Sequence, residues 1–467
     1  MMVQISVVMP IHQKEDTLPR VLEALAKQED PGELELVLVF DACTDGSRRV
    51  AKASPAAQRF QTQILSVAER NPARVRNIGA DAAHNDHILF LDADVILPSQ
   101  HIRTLRHHVT NRGNDVLLTP VSCNAISADI LPLLAPLPQN WHTLDNDSLL
   151  AWSQAWPELD DLRLTLAGDE GDLDHLPYPW VLGWSTALCL PRGLFTSCGG
   201  FDDRYAGKGS EDLVLCRRLW QAGTRFRLLV EAPALHLPHA RDRPAEVTLD
   251  RQHEALLLSH APDPDVELLC AFDGAHANAM AAFLQRVMGW QARTRLESAF
   301  RPPLAFELWG MNAPVDLTVG LPPAAIKGGA VQRAWPFAED RHEGTGDLPL
   351  FGFALPFAER SLETVVVGGL FEFLPQRLRL RLLGEAQRIA SRVILVRLSA
   401  PLPTAQDLDG MAATLDAPYW EPYVPLCRDP WRYQTALIGH AGPYVSYSVT
   451  PRESPDGESR TRTTGPR

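Results

Sequence analysis

Two short acidic motifs carry most of the chemistry this sequence offers. Asp92-Ala-Asp94 follows four consecutive apolar residues, Ile88-Leu-Phe-Leu91, and Glu211-Asp212 opens a stretch of helical spacing that runs to Trp220. Residues two apart in extended chain point to the same side, so Asp92 and Asp94 can converge on one cation. Hard cations such as Mg²⁺ and Mn²⁺ take oxygen ligands and join protein carboxylates to substrate phosphates. Glu211 and Asp212 fall at a predicted helix N-terminus, where the dipole favours negative charge. A carboxylate held ionised there can take the proton from an attacking hydroxyl. Both pairs also have a purely structural reading, as solvated acids at a strand-end turn and as an acidic first turn of a helix. The surrounding elements have to choose.

Those elements alternate. Residues 5–10 form a short buried strand ended by proline, and Leu18, Val21, Leu22 and Leu25 lie at helical spacing within 16–27. Residues 34–40 make a second apolar strand, 64–67 a third and 88–91 a fourth, with a helix predicted at 73–83. Asp41-Ala-Cys-Thr-Asp-Gly-Ser47 has turn chemistry, and Thr44 or Asp45 can cap the helix after it. Continuous rather than alternating apolar strands, joined by helices, predict an α/β fold with a mostly parallel sheet and helices on both faces. Such sheets bind ligands at the carboxyl ends of their strands, where Asp92 and Asp94 emerge. No G-x-G-x-x-G and no Walker loop is present, so a phosphate bound here needs a cation.

Four segments then fall in one continuous order: S-V-V-M-P-I from Ser6, V-F-D-A-C-T-D-G-S from Val39, A-R-V-R-N-I-G-A from Ala73 and F-L-D-A-D from Phe90. Together they resemble the family 2 glycosyltransferases with the GT-A fold. The resemblance implies a nucleotide-sugar donor, usually a UDP-sugar, a divalent cation (Mn²⁺ or Mg²⁺), and inversion at the anomeric carbon. It implies donor-site roles for Pro10, Asp41, Arg76, Asn77 and Asp92, with Asp41 on the nucleobase. It also places Asp92 and Asp94 on the cation and the diphosphate.

Gly199-Gly-Phe-Asp-Asp-Arg-Tyr-Ala-Gly-Lys-Gly-Ser-Glu-Asp212 resembles the acceptor-side signature of galactosyltransferase-like GT-A enzymes. That likeness implies Asp212 as the base and Glu211 as the holder of a hydroxyl on a saccharide or other acceptor. Glycines at 207 and 209 allow a tight loop near the substrate. Trp184 and Gly209 complete the acceptor-side candidates. In many GT-A enzymes a histidine completes the cation's shell; His236 and His239 are available at the end of a strand predicted over 228–237, with His236 preferred. Two departures stand out. Phe40 stands where the family often has the first of two adjacent acids, and Lys208 where an aromatic residue is usual.

Composition bounds the rest. An apolar share of 45% and a charged share of 22% in 467 residues fit a globular chain of two or three domains. A net charge of −13 argues against general affinity for nucleic acid or anionic membranes. Seven cysteines without a C-x-x-C pair suit free thiols in a reducing compartment. No uncharged apolar run reaches transmembrane length, and the N-terminus reads as a strand rather than a leader, so the expected setting is cytoplasmic.

The expected organisation is a GT-A domain over 1–255, a helical connector over 256–300, a smaller Rossmann-like α/β domain over 301–449 and a disordered tail over 450–467. The charged, proline-containing stretch 241–262 marks the boundary. Residues 121–180 read as an acceptor-side insertion, with Trp141, Trp152 and Trp156 assigned to its own small core. Phe353-Ala-Leu-Pro-Phe-Ala-Glu-Arg-Ser-Leu-Glu and Leu370-Phe-Glu-Phe-Leu-Pro375 resemble the later half of class I S-adenosylmethionine methyltransferases. A cofactor turn of that class needs glycines after the first strand, yet Val319-Gly-Leu-Pro-Pro puts prolines there, and Phe373 replaces the usual histidine. No S-adenosylmethionine is therefore expected. Two readings compete with an inverting hexosyltransferase: a bifunctional enzyme that also methylates, and a non-catalytic sugar- or partner-binding protein on the same fold.

Overall fold

The computed structural model describes residues 4–68, 70–123, 143–156, 159–207, 209–239, 243–272, 274–289, 315–322, 331–336, 347–374, 376–398, 433–441 and 444–451. The chain forms two compact units, Met1–His253 and Glu254–Arg467.

The first unit opens with β1 (Ile5–Ile11), α1 (Leu18–Ala26), β2 (Leu34–Asp41), α2 (Ser47–Ala53), α3 (Pro55–Arg59), β3 (Gln61–Val67), α4 (Pro72–Ala82) and β4 (His87–Leu91). Strands β3, β2, β1 and β4 lie side by side in that order, all parallel. Strands β1, β2 and β4 are buried along nearly their whole length, which is why they read as unbroken apolar runs. Helix α4 starts cleanly because Asn71 caps the Arg74 N–H and Pro72 sits in the first turn. The strand order reverses between β1 and β4, the place where a doubly wound sheet opens a crevice at its carboxyl ends.

The unit continues with β5 (Val95–Ile96), α5 (His101–Arg112), β6 (Val116–Leu118), β7 (Val121–Ser122), α6 (Asn146–Gln154), β8 (Ala187–Pro191), α7 (Arg192–Ser197), α8 (Glu211–Gln221), β9 (Phe226–Leu228), β10 (Ala234–His236) and α9 (Arg243–His260). Strand β8 runs antiparallel to β4 and β6, and β9 completes a seven-stranded sheet. Strands β5, β10 and β7 form a separate three-stranded sheet. The single strand expected over 228–237 is not found. Its two ends belong to different sheets, with Pro233, which has no N–H for a ladder, between them. The boundary between the two units falls after His253, inside the stretch 241–262 expected to hold it, yet that stretch is largely helix α9, with Pro244 in its first turn, where proline is tolerated. Trp152 and Trp156 pack against Ile96, Leu149, Leu150, Leu159 and Leu235. Trp141 lies outside the described residues.

The second unit holds α10 (Pro264–Phe272), α11 (Gly274–Gly289), β11 (Leu317–Val319), β12 (Gln332–Ala334), β13 (Leu362–Val367), α12 (Gln376–Ile389), β14 (Ala390–Leu398), β15 (Tyr433–Ala441) and β16 (Tyr444–Pro451). Its sheet runs β12-β11-β13-β14-β16-β15, parallel through β14 and antiparallel beyond. Helix α10, expected in a connector, is part of this unit: its fully buried Glu267 accepts the N–H groups of Phe351, Gly352 and Phe353 at 2.7, 2.6 and 2.7 Å. The tail expected to be disordered lies outside the described residues beyond Pro451. Among the described residues no helix is long and apolar enough to cross a membrane.

Candidate active site

Asp92 and Asp94 emerge after β4 at the crevice, but their carboxylates do not converge. The Val95 N–H donates to the Asp92 carbonyl at 3.2 Å, closing a turn, so the alternation of extended chain does not apply. Asp92 Oδ1 instead accepts from Arg76 Nη2 at 2.9 Å. Asp94 is buried and meets Lys14 Nζ at 2.5 Å, His239 Nε2 at 3.4 Å and His236 Nε2 at 3.5 Å.

Sheet pairing explains the histidine. Strand β10 runs antiparallel to β5 with His236 opposite Val95, and the Leu237 N–H donates to the Asp94 carbonyl at 2.8 Å. Asp94, His236 and His239 offer ligand atoms within 4.8 Å of one another, the only such group among the described residues. Both histidines join the group, whereas the sequence favoured one of them. Asp92 is not in it. Burial pushes the Asp94 carboxyl up, but His236, Lys14 and His239 outweigh it and hold it well below the usual range.

Arg76 and Asn77, adjacent on α4, join the two motifs. Arg76 is buried, and its Nη1 reaches Glu211 Oε1 at 2.8 Å while Nη2 holds Asp92. The Asn77 amide makes both its bonds with the Phe201 backbone, donating to its oxygen and accepting from its nitrogen, each at 2.9 Å. The sequence placed both side chains on the donor. The structure commits the Asn77 amide to the Gly199-Gly-Phe201 turn and the Arg76 guanidinium to two carboxylates.

On the acceptor side, Asp212 is half-buried in the first turn of α8. Its Oδ2 accepts the Ser185 N–H at 3.1 Å and its Oδ1 the Leu213 N–H at 2.8 Å. Burial and the charge of Glu211 push its carboxyl up to about 7, although the Ser185 N–H and Arg76 favour the ionised form. The helix N-terminus therefore does not keep it ionised as expected; desolvation wins. A group near 7 is well matched to accepting a proton at neutral pH. Glu211 is buried, and its Oε2 has no hydrogen-bond partner among the described residues, a group poised for an outside donor. Gly209 takes φ +108°, and a Cβ there would lie 2.5 Å from Asp250 Oδ1, so glycine is required. Lys208 lies outside the described residues.

Trp184 is half-buried, with the Arg163 guanidinium 4.4 Å from the centre of its ring. Arg163 is itself locked by Asp161 at 2.6 Å, both fully buried, so one face of the indole rests on a rigid support. The next residue, Ser185, supplies the N–H to Asp212. Asp41, ending β2, is buried and accepts the Arg70 N–H at 2.8 Å, bracing the loop after β3. Pro10 lies half-buried near the end of the neighbouring β1. Sequence reasoning missed Lys14, Ser185 and Arg163. Lys14 was within reach: it comes just after β1, and parallel pairing of β1 with β4 brings their carboxyl ends together.

Residues 6–134 match the sequence model of Glycosyl transferase family 2. Validoxylamine A glucosyltransferase of Streptomyces hygroscopicus subsp. limoneus is 28% identical over 248 residues, 52% of this chain and 54% of that relative. The poly(ribitol-phosphate) beta-N-acetylglucosaminyltransferase TarS of Staphylococcus aureus is 26% identical over 118 residues, 25% of this chain and 21% of TarS. Among solved structures, S. aureus TarS 1–349 in complex with UDP-GlcNAc aligns at a TM-score of 0.38 and 15% identity, over 58% of this chain and 71% of that one. The chain spans about half the length of the validoxylamine glucosyltransferases it matches.

Proposed function

We propose that the first unit is a metal-dependent inverting glycosyltransferase, moving a sugar from a UDP-hexose or UDP-N-acetylhexosamine to an acceptor hydroxyl. One observation carries the reading: the Asp94–His236–His239 group and the Glu211–Asp212 pair lie at the same end of β4, tied through Asp92 and Arg76. The match of residues 6–134 to a glycosyltransferase family supports it, and the named activities of the relatives favour glucose or N-acetylglucosamine as the sugar.

The donor set of one carboxylate and two imidazoles suits Mn²⁺ better than Mg²⁺, which avoids nitrogen ligands. A cation held there supplies neutralisation of the charge that gathers on the leaving diphosphate. Asp212 takes the proton from the acceptor hydroxyl. The freed oxygen forms its bond to the anomeric carbon as the bond to the β-phosphate oxygen breaks, so the sugar inverts in one displacement. Glu211 Oε2 accepts from a second acceptor hydroxyl, Trp184 stacks on the sugar face, and Pro10 and Asp41 line the nucleobase end.

The test is D212N. Transfer should fall on the order of a thousand-fold, as loss of a general base predicts. UDP affinity, measured by calorimetry with Mn²⁺ present, should stay within a few-fold. Wild-type turnover in D212N would remove the base assignment. A cytoplasmic setting with reduced cysteines goes with the same reading.

The second unit reads as a methyltransferase-like scaffold that binds no S-adenosylmethionine. The packing after β11 supports this: Leu321 is fully buried, with its Cδ2 only 2.8 Å from where a Cβ on Gly368 would sit. A leucine thus fills the turn where a cofactor needs bare backbone. Calorimetry with S-adenosylmethionine should show no binding; a micromolar complex would restore the bifunctional reading.

A further inference from the structure

Helix α9 packs on the loop that leads into the proposed base. His253, buried on this helix, has Nδ1 2.7 Å from the carbonyl oxygen of Gly209 and Nε2 3.2 Å from that of Ala206. Its ring meets Tyr205 nearly edge-on, with centroids 5.3 Å apart. Leu249 and Asp250 of the same helix stand 2.8 and 2.5 Å from where a Cβ on Gly207 and on Gly209 would fall. The glycines thus let the loop lie flush against the helix.

Carbonyl oxygens only accept hydrogen bonds. A ring nitrogen of His253 that bonds either carbonyl therefore does so as the donor, and the ring spans the two ends of the loop. The bridge matters because the loop runs directly into the candidate base. Ser210 is held at φ +67°, a conformation non-glycine residues seldom adopt and one that persists only where the surroundings enforce it. Glu211 and Asp212 come next.

We propose that α9 straps the base loop and that His253 is its positioning residue: by gripping the Ala206 and Gly209 carbonyls it fixes the direction in which Glu211 and Asp212 enter α8. The inference rests on the reading of Asp212 as the base. It differs from the work of Arg76, which holds the Glu211 side chain; His253 holds the backbone before it.

The experiment compares H253L, H253N and H253Q in the full chain. Three quantities are read: hydrolysis of UDP-glucose with Mn²⁺, UDP affinity by calorimetry, and hydrogen exchange at amides 211–213. H253L should lower the hydrolysis kcat on the order of 10- to 100-fold, the scale of a displaced catalytic group. UDP affinity should stay within about two-fold, and exchange at 211–213 should speed up. H253N sets its Nδ2 where His253 Nδ1 stands, so it can keep the bond to Gly209 but not the one to Ala206 and should fall between wild type and H253L, while H253A serves in place of H253L if that variant does not fold. H253Q, with two N–H donors at nearly the same reach, should recover most of the rate. Unchanged kcat and exchange in H253L would overturn the strap, as would joint loss of kcat and UDP affinity, or a Gln variant no better than Leu. A wild-type chain that leaves UDP-glucose intact counts against the donor reading instead, and exchange at 211–213 still decides the strap.

Discussion

A proton and a cation divide the work among single residues, and each has its own test. Asp212 holds its proton up to about 7 in the folded chain, against about 4 for an ordinary aspartate. Between those values the native state binds more protons than the unfolded one, so this group makes stability fall as pH rises. Turnover should rise over the same window as the base ionises. D212N, which has no charge to bury, should therefore gain more Tm over wild type at pH 8 than at pH 5; equal gains would show that another group is responsible. The cation is the concern of Asp94, His236 and His239. H236A and H239A should each weaken Mn²⁺ binding about ten-fold or more, read from free Mn²⁺ by electron paramagnetic resonance. D92N should leave it within about two-fold, because Asp92 answers to Arg76. A collapse of Mn²⁺ affinity in D92N would return Asp92 to the ligand set.

Helix α4 is the element on which both halves of the site depend, since Arg76 and Asn77 leave it toward different partners. Its distance from the sheet is set by Gly79. A Cβ there would fall 2.4 Å from Val8 Cγ1 and 3.1 Å from Val39 Cγ2. G79A should lift the helix off β1 and β2, costing about 1–3 kcal/mol in urea unfolding and lowering transfer as well. Normal stability in G79A would mean that the helix is free to shift. Strands β1, β2 and β4 were legible because burial on both faces leaves an unbroken apolar signal. Helix α9 was not: its charge and its proline marked the boundary that does fall within it, but the contacts that justify the helix come from residues far away in sequence, Tyr205 to Gly209.

At the scale of the whole molecule, two units succeed each other in one chain, and the second has its own internal brace. Glu267 is fully buried on four backbone N–H groups, those of Phe351, Gly352, Phe353 and, at 3.4 Å, Ala354, and burial pushes its carboxyl up to about 7 even though those donors oppose the shift. E267L would strand the amides of Phe351, Gly352 and Phe353, each worth about 1–3 kcal/mol when left unpaired. Their hydrogen exchange should accelerate; unchanged protection would mean the segment stands without the carboxylate. The helical stretch after 256 read as a connector because amphipathic spacing says that a helix packs, without saying on what.

What the sequence determined by itself is the chemistry available: an α/β fold, a carboxylate pair after a buried strand, a second pair opening a helix, and histidines downstream. Local periodicity and residue type suffice for that. The tertiary structure decided the assignments. A turn closed by Val95 sent Asp92 to Arg76 and left Asp94 among Lys14, His236 and His239. The pairing of β10 with β5 brought His236 to Asp94 across most of the first unit. The raised proton affinity of Asp212 comes from burial and from Glu211. Each depends on what lies across a strand or under a helix, and spacing along the chain does not encode the environment on the far side of a fold.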